Sequence, residues 1–165
     1  MQLYDKDLLS MQEVRELVGA AKKAQGELAQ MSQEKVDHIV KAVADAGVRN
    51  ARRLAIMANE DTGFGIVDDK VIKNVFGSRG VYEYIKDMKT VGEVSRDDVK
   101  KVRVIAVPVG IVAGLLPSTN PTSTALYNAE IALKAGNAIV FSPHPSALRC
   151  TLETVKVIRQ AISEA

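Results

Sequence analysis

The stretch Val102–Ser123, VRVIAVPVGIVAGLLPSTNPTS, restricts the fold more than any other part of the chain. It holds two apolar, β-branched runs, Val102–Val107 and Ile111–Leu116, with Pro108 and Gly110 marking a bend between them. The second run stops at Pro117, and Ser118-Thr119-Asn120 leads straight into Pro121. Asn followed by Pro is a helix-start signal, because Asn suits the N-cap and Pro has no N–H to leave unpaired. Both runs are expected as central strands, the second carrying small polar groups to the mouth of a helix. Open α/β sheets bind ligands at such junctions, where free backbone N–H groups attract anions. The pattern asks for a ligand without naming one.

The flanking sequence supplies helices. Ser10 and Glu13 have capping-box spacing. They predict a helix to about Gln30 on Met11, Val14, Leu17, Val18, Ala21, Ala24 and Leu28, with residues 1–9 as an irregular lead-in. Ser32 opens a second helix with Val36, Ile39, Val40 and Val43 inward, ending near Gly47. A third runs from Ala51 to Asn59 and breaks at Thr62-Gly63-Phe64-Gly65. A fourth starts at Asp68, carries Val71, Ile72, Val75 and Phe76, and reaches Met88 through the weak positions Gly77 and Gly80. Thr90–Lys101 is polar, a connector or edge strand.

Beyond the central runs, Pro121–Ala135 reads as a helix closed by Gly136. Ala138–Phe141 reads as a strand buried on both faces, and Ser142–Pro145 as a turn. The last helix begins near Ser146, with Leu148, Leu152, Val155, Ile158 and Ile162 inward. The fold class is therefore α/β: residues 1–89 mainly helical, residues 90–165 β/α. From Ile111 the order strand, helix, strand, helix opens a doubly wound domain. A mononucleotide-binding half needs one more strand, and Ala165 falls inside a helical pattern first. The expectation is the opening portion of a larger enzyme.

Composition narrows the chemistry. With 22 basic and 20 acidic residues, no polyelectrolyte partner such as nucleic acid is implied. No apolar run reaches the ~18 residues of a membrane span, so no membrane partner is expected. A single cysteine excludes an intrachain disulfide and fits a reducing, cytoplasmic setting. Cys150 lacks a histidine placed to activate it, and His38 and His144 lack metal-ligand spacing. His144, between two prolines, reads as a solvent-facing turn residue. Lys70 and Lys73, beside Asp68 and Asp69, read as a solvated helix face. Gly63 and Gly65 follow a helix, so they read as a turn and not a phosphate loop.

Three segments carry a more specific signal. Gly65–Asn74 (GIVDDKVIKN), Pro117–Ala125 (PSTNPTSTA) and Leu133–Pro145 (LKAGNAIVFSPHP) together resemble the acylating aldehyde dehydrogenases, closest to the N-terminal half of the bifunctional aldehyde-alcohol dehydrogenases. The likeness covers essentially the whole chain. It implies an N-terminal helical layer followed by the first strands and helices of a Rossmann-like cofactor-binding domain. It also implies NAD as cofactor, coenzyme A as co-substrate, and a small aldehyde or acyl-CoA as substrate.

By the same resemblance, Leu116, Pro117, Ser118, Thr119, Asn120 and Pro121 would line the cleft beside the nicotinamide ribose. Asn120 would donate its amide to the thiohemiacetal oxyanion. Ser142, Pro143, His144 and Pro145 would meet the adenosine ribose, where ordinary aldehyde dehydrogenases carry Lys-Pro. The family's nucleophilic cysteine and pyrophosphate-binding turn match no residue here, so the catalytic domain is expected to be absent and the chain inactive alone. Self-association is implied as well. The rival reading is a non-catalytic nucleotide-binding or assembly module, the latter docking in filaments or bacterial microcompartments.

Overall fold

The computed structural model describes residues 5–165; the first four residues of the expected lead-in lie outside them. Helix α1 spans Lys6–Leu28 and starts earlier than expected. Asp5, not Ser10, is its N-cap, accepting from the N–H groups of Asp7 at 2.8 Å and Leu8 at 3.3 Å. A carboxylate at the positive end of a helix stabilises it there, so Ser10 falls inside the helix and makes no capping box. The apolar residues of the first turns, among them Leu8, Met11, Val14 and Leu17, are exposed. Only the far end of α1 packs, with Leu28 buried.

Helix α2 runs unbroken from Gln33 to Thr62, where a shorter helix ending near Gly47 and a separate one after it were expected. Gly47 sits mid-helix because a neighbour needs the room. A Cβ there would collide with Ser78 Oγ and lie 3.0 Å from Leu126 Cδ2. The helix ends at Gly63, left-handed at φ 67°, which only glycine adopts without strain. Next come α3 (Val67–Val75), a π-turn at Phe76–Gly80 and α4 (Val81–Ile85). The π-turn accounts for Gly77 and Gly80: a Cβ on Gly77 would lie 3.0 Å from the Ser123 carbonyl oxygen.

Strand β1 (Gly92–Asp97) pairs antiparallel with β2 (Val102–Ala106), with a bulge between Glu93 and Ser95. The run Val102–Val107 is therefore half of an exposed hairpin and not a central strand. Val104 is 50% exposed and Ile105 62%. The Asp97 carboxylate fastens the hairpin turn by accepting from the N–H groups of Val99 and Lys100. A β-branched run suits such a ribbon as well as it suits a core strand, so composition alone does not separate them.

The second sheet holds β3 (Ile111–Leu116) and β4 (Ala138–Pro143), parallel, with Ile111 opposite Ala138 and Leu116 opposite Pro143. Helix α5 (Pro121–Lys134) makes the crossover, and Gly136, at φ 73°, turns the chain into β4. Helix α6 (Leu148–Glu164) follows a short 3-10 turn at Pro145–Ala147. Its inner face is Cys150, Thr151, Thr154, Val157, Ile158 and Ala161. Leu148 and Leu152, expected inward, are exposed. The small side chains at Cys150, Thr154 and Ala161 let α6 lie close to α2, with which it makes its broadest contact. The main core joins α2, α5 and α6 through Val36, Ile39, Val40, Val43, Leu126, Ala129 and Ile158.

Candidate active site

The parallel pairing of β3 and β4 ends with Leu116 beside Pro143. One further bond, from His144 N–H to the Leu116 carbonyl at 3.1 Å, ties the two strand ends together. The two segments singled out in the sequence, Leu116–Pro121 and Ser142–Pro145, thus leave the carboxyl edge of one sheet side by side. The N-terminus of α5 opens beside them. Within this pair of turns the side chains divide. Leu116 and Pro121 are buried and anchor the turn from below. Ser118 and Asn120 are half-buried; Pro117, Thr119, Ser142, His144 and Pro145 are exposed.

Asn120 is the N-cap residue of α5, yet its side chain makes no capping bond. Its amide oxygen accepts instead from Lys73 Nζ at 2.9 Å. Among the described residues its Nδ2 has only a long 3.4 Å contact to Thr119 Oγ1, which leaves donor capacity unused. His144 Nδ1 faces Ser146, whose hydroxyl lies at 2.8 Å and whose N–H lies at 3.2 Å. Nε2 makes no hydrogen bond among the described residues.

Of the lysines read as a solvated face, Lys73 is exposed as expected and Lys70 is not. Lys70 is buried, and its ammonium donates to the Thr119 carbonyl at 3.0 Å. Burial, and then the nearby Lys73 charge, hold the Lys70 amine below its ordinary pKa. One turn on, buried Asn74 accepts from the Thr122 hydroxyl at 2.8 Å and donates to the Ala51 carbonyl at 2.9 Å. Lys70, Lys73 and Asn74 share one face of α3 and grip three successive parts of the turn that starts α5. Their i, i+3, i+4 spacing was the available signal. Such a spacing of charged residues ordinarily marks a face turned to water, which masks it.

Cys150 has the environment of a structural thiol. It is fully buried, its Sγ lies 3.3 Å from the Ala147 carbonyl, and burial followed by the Asp61 carboxylate pushes its pKa up to about 12. Burial works to raise Asp61, but bonds from Arg149 and the Cys150 N–H outweigh it and keep that carboxyl below its usual range. Glu130 is a separate oddity. It is fully buried in α5, with neither carboxylate oxygen paired. Among the described residues no helix is long and apolar enough to cross a membrane.

Comparison with known proteins bears on this arrangement. The sequence pattern of the aldehyde dehydrogenase family matches residues 3–164. A probable aldehyde dehydrogenase from Listeria monocytogenes is 62% identical and superimposes with a TM-score of 0.95, covering 97% of this chain and 35% of its own. The acetylating aldehyde dehydrogenase of Geobacillus thermoglucosidasius is 54% identical with a TM-score of 0.95, covering 98% of this chain and 36% of its own. The bifunctional aldehyde-alcohol dehydrogenase AdhE of Escherichia coli K12 is 48% identical over 149 residues, 90% of this chain and 17% of that protein. The chain thus spans about a third of the solved relatives' length and less of the bifunctional one. On the full-length sequence match and the shared backbone, it belongs to the aldehyde dehydrogenase family, with acylating enzymes among its relatives.

Proposed function

We propose that these residues are the N-terminal, cofactor-side segment of an NAD-dependent, coenzyme-A-acylating aldehyde dehydrogenase, which converts an aldehyde, coenzyme A and NAD to an acyl-CoA and NADH. One observation carries this reading. The ends of β3 and β4 and the start of α5 meet at one edge, where the Asn120 amide nitrogen is free to donate. The residues fit a dinucleotide: exposed hydroxyls at Thr119 and Ser142, a free imidazole nitrogen at His144, and the N–H-rich end of a 14-residue helix. NAD, when bound, supplies the acceptor for the aldehyde's hydride.

The chain's own residues bind and orient. Pro117–Thr119 form the wall of the turn, and Ser142 with His144 Nε2 offers hydrogen bonds to ribose hydroxyls. Asn120 Nδ2 donates to the aldehyde oxygen as negative charge develops there. A preorganised donor of this kind contributes about 3 kcal/mol to lowering a barrier. The nucleophilic thiol comes from outside these residues, because the chain's one cysteine is buried and its pKa is pushed up to about 12. The 165-residue chain alone is therefore inactive.

The test replaces the matching third of the Geobacillus enzyme with these residues. The hybrid should turn over NAD to NADH with acetaldehyde only when coenzyme A is present to discharge the acyl-enzyme, and the isolated chain should form no NADH above a blank. NADH formation by the isolated chain would overturn the reading. So would a folded hybrid without activity.

A further inference from the structure

The Lys73 ammonium carries three donors and no acceptor. Of the two ends of the Asn120 amide it can bond only the oxygen, and it does so at 2.9 Å. An amide's oxygen and nitrogen are nearly the same size, so shape alone does not choose which end faces a ligand. Charge does. With Oδ1 held by Lys73, Nδ2 is left on the side away from α3, and the opposite rotamer would turn a carbonyl lone pair toward a developing anion. The backbone under the amide is fixed separately. Lys70 holds the Thr119 carbonyl, and Asn74 holds the Thr122 hydroxyl. Lys73 is exposed and its Nζ makes no other bond among the described residues, so its contact with Asn120 is not a by-product of core packing.

We infer that Lys73 is a positioning residue that sets the Asn120 amide so that its nitrogen, and not its oxygen, meets the oxyanion. This rests on the reading of Asn120 given above. Lys73 itself touches neither substrate nor cofactor.

A double-mutant cycle in the hybrid enzyme tests it. Lys73→Met should lower kcat about 10-fold while the KM values for aldehyde and NAD stay within about 3-fold, because the donor is misdirected in the transition state and binding is untouched. Lys73→Arg, which keeps a cationic donor, should recover most of the rate. In an Asn120→Ala background, Lys73→Met should change kcat less than about 2-fold, since there is no amide left to orient.

In the chain itself, Lys73→Met should shift the Asn120 side-chain amide resonances in a nitrogen-15 NMR spectrum and leave the backbone amides of α2 and α6 in place. An unchanged rate with Lys73→Met, alongside a strong loss with Asn120→Ala, would overturn the Lys73 role and leave the Asn120 reading standing. An equal loss from Lys73→Met in both backgrounds would also overturn it, because the lysine would then act without the amide. A full rate with Asn120→Ala would overturn the Asn120 reading and this inference together. Unmoved Asn120 amide resonances would overturn the inference alone.

Discussion

Glu130 and Lys134 stand one helical turn apart on α5, at the spacing where opposite charges normally pair. The structure separates them. Lys134 turns to Asp37 at 2.5 Å and to the Lys86 carbonyl at 2.8 Å, and Glu130 is sealed in without a partner. Burial pushes the Glu130 carboxyl up to about 9, from 4.5 in the open chain. Between those values the folded state holds a proton that the unfolded state has lost. Unfolding free energy should therefore fall as pH rises through this window, by up to ~1.4 kcal/mol per unit. Glu130→Gln removes the titration and should flatten the profile, a difference of about 2–4 kcal/mol between about pH 5 and pH 8 in urea unfolding. Parallel profiles for the two proteins would contradict this. At the same scale, the geometry of the candidate site was half legible in the sequence. Asn120 and Pro121 announce a helix start by residue type, and the structure puts the helix there. What Asn120 bonds to was not legible: its partner Lys73 lies 47 residues away in sequence, on a helix whose charges looked solvated.

Among the elements, α2 shows how local rules and packing compete. Glycine inside a helix costs about 1 kcal/mol relative to alanine, which is why Gly47 looked like an end. The helix continues through it because Ser78 of the π-turn and Leu126 of α5 occupy the space a side chain would fill. Gly47→Ala should therefore destabilise the chain by about 1–3 kcal/mol in urea unfolding, the overpacking cost exceeding the gain in helix propensity. A more stable variant would show that the three elements are not in close register. The β3–α5–β4 unit was readable because its periodicity and its Pro and Gly stops are local, whereas α1 starts earlier and α2 runs longer than local signals indicate. The hairpin was misjudged at β2 because a run of β-branched residues states that a strand forms, not which sheet it joins. On α6 the expected inward positions hold at Ile158 and fail at Leu148 and Leu152. Cys150, Thr151, Thr154 and Ala161 fill much of the buried face, and such small or polar side chains leave little apolar periodicity to read.

At the scale of the whole chain, the two-stranded β3–β4 sheet leaves Leu115 78% exposed, and the apolar start of α1 is covered by nothing among the described residues. The solved relatives continue well beyond the region matched here, since the chain covers 35% and 36% of them. The family was legible from three separated motifs. They hold up because each marks a part of one junction: α3 grips the turn, β3 and β4 end beside it, and α5 starts from it. In the function proposed above, this junction presents the Asn120 amide nitrogen to a developing negative charge. The most direct measurement is kcat of the hybrid enzyme with Asn120→Ala, at saturating acetaldehyde, NAD and coenzyme A. A loss of about 10²–10³-fold is expected, with little change in the KM for NAD, as for removal of one preorganised oxyanion donor; an undiminished kcat would contradict this role for Asn120.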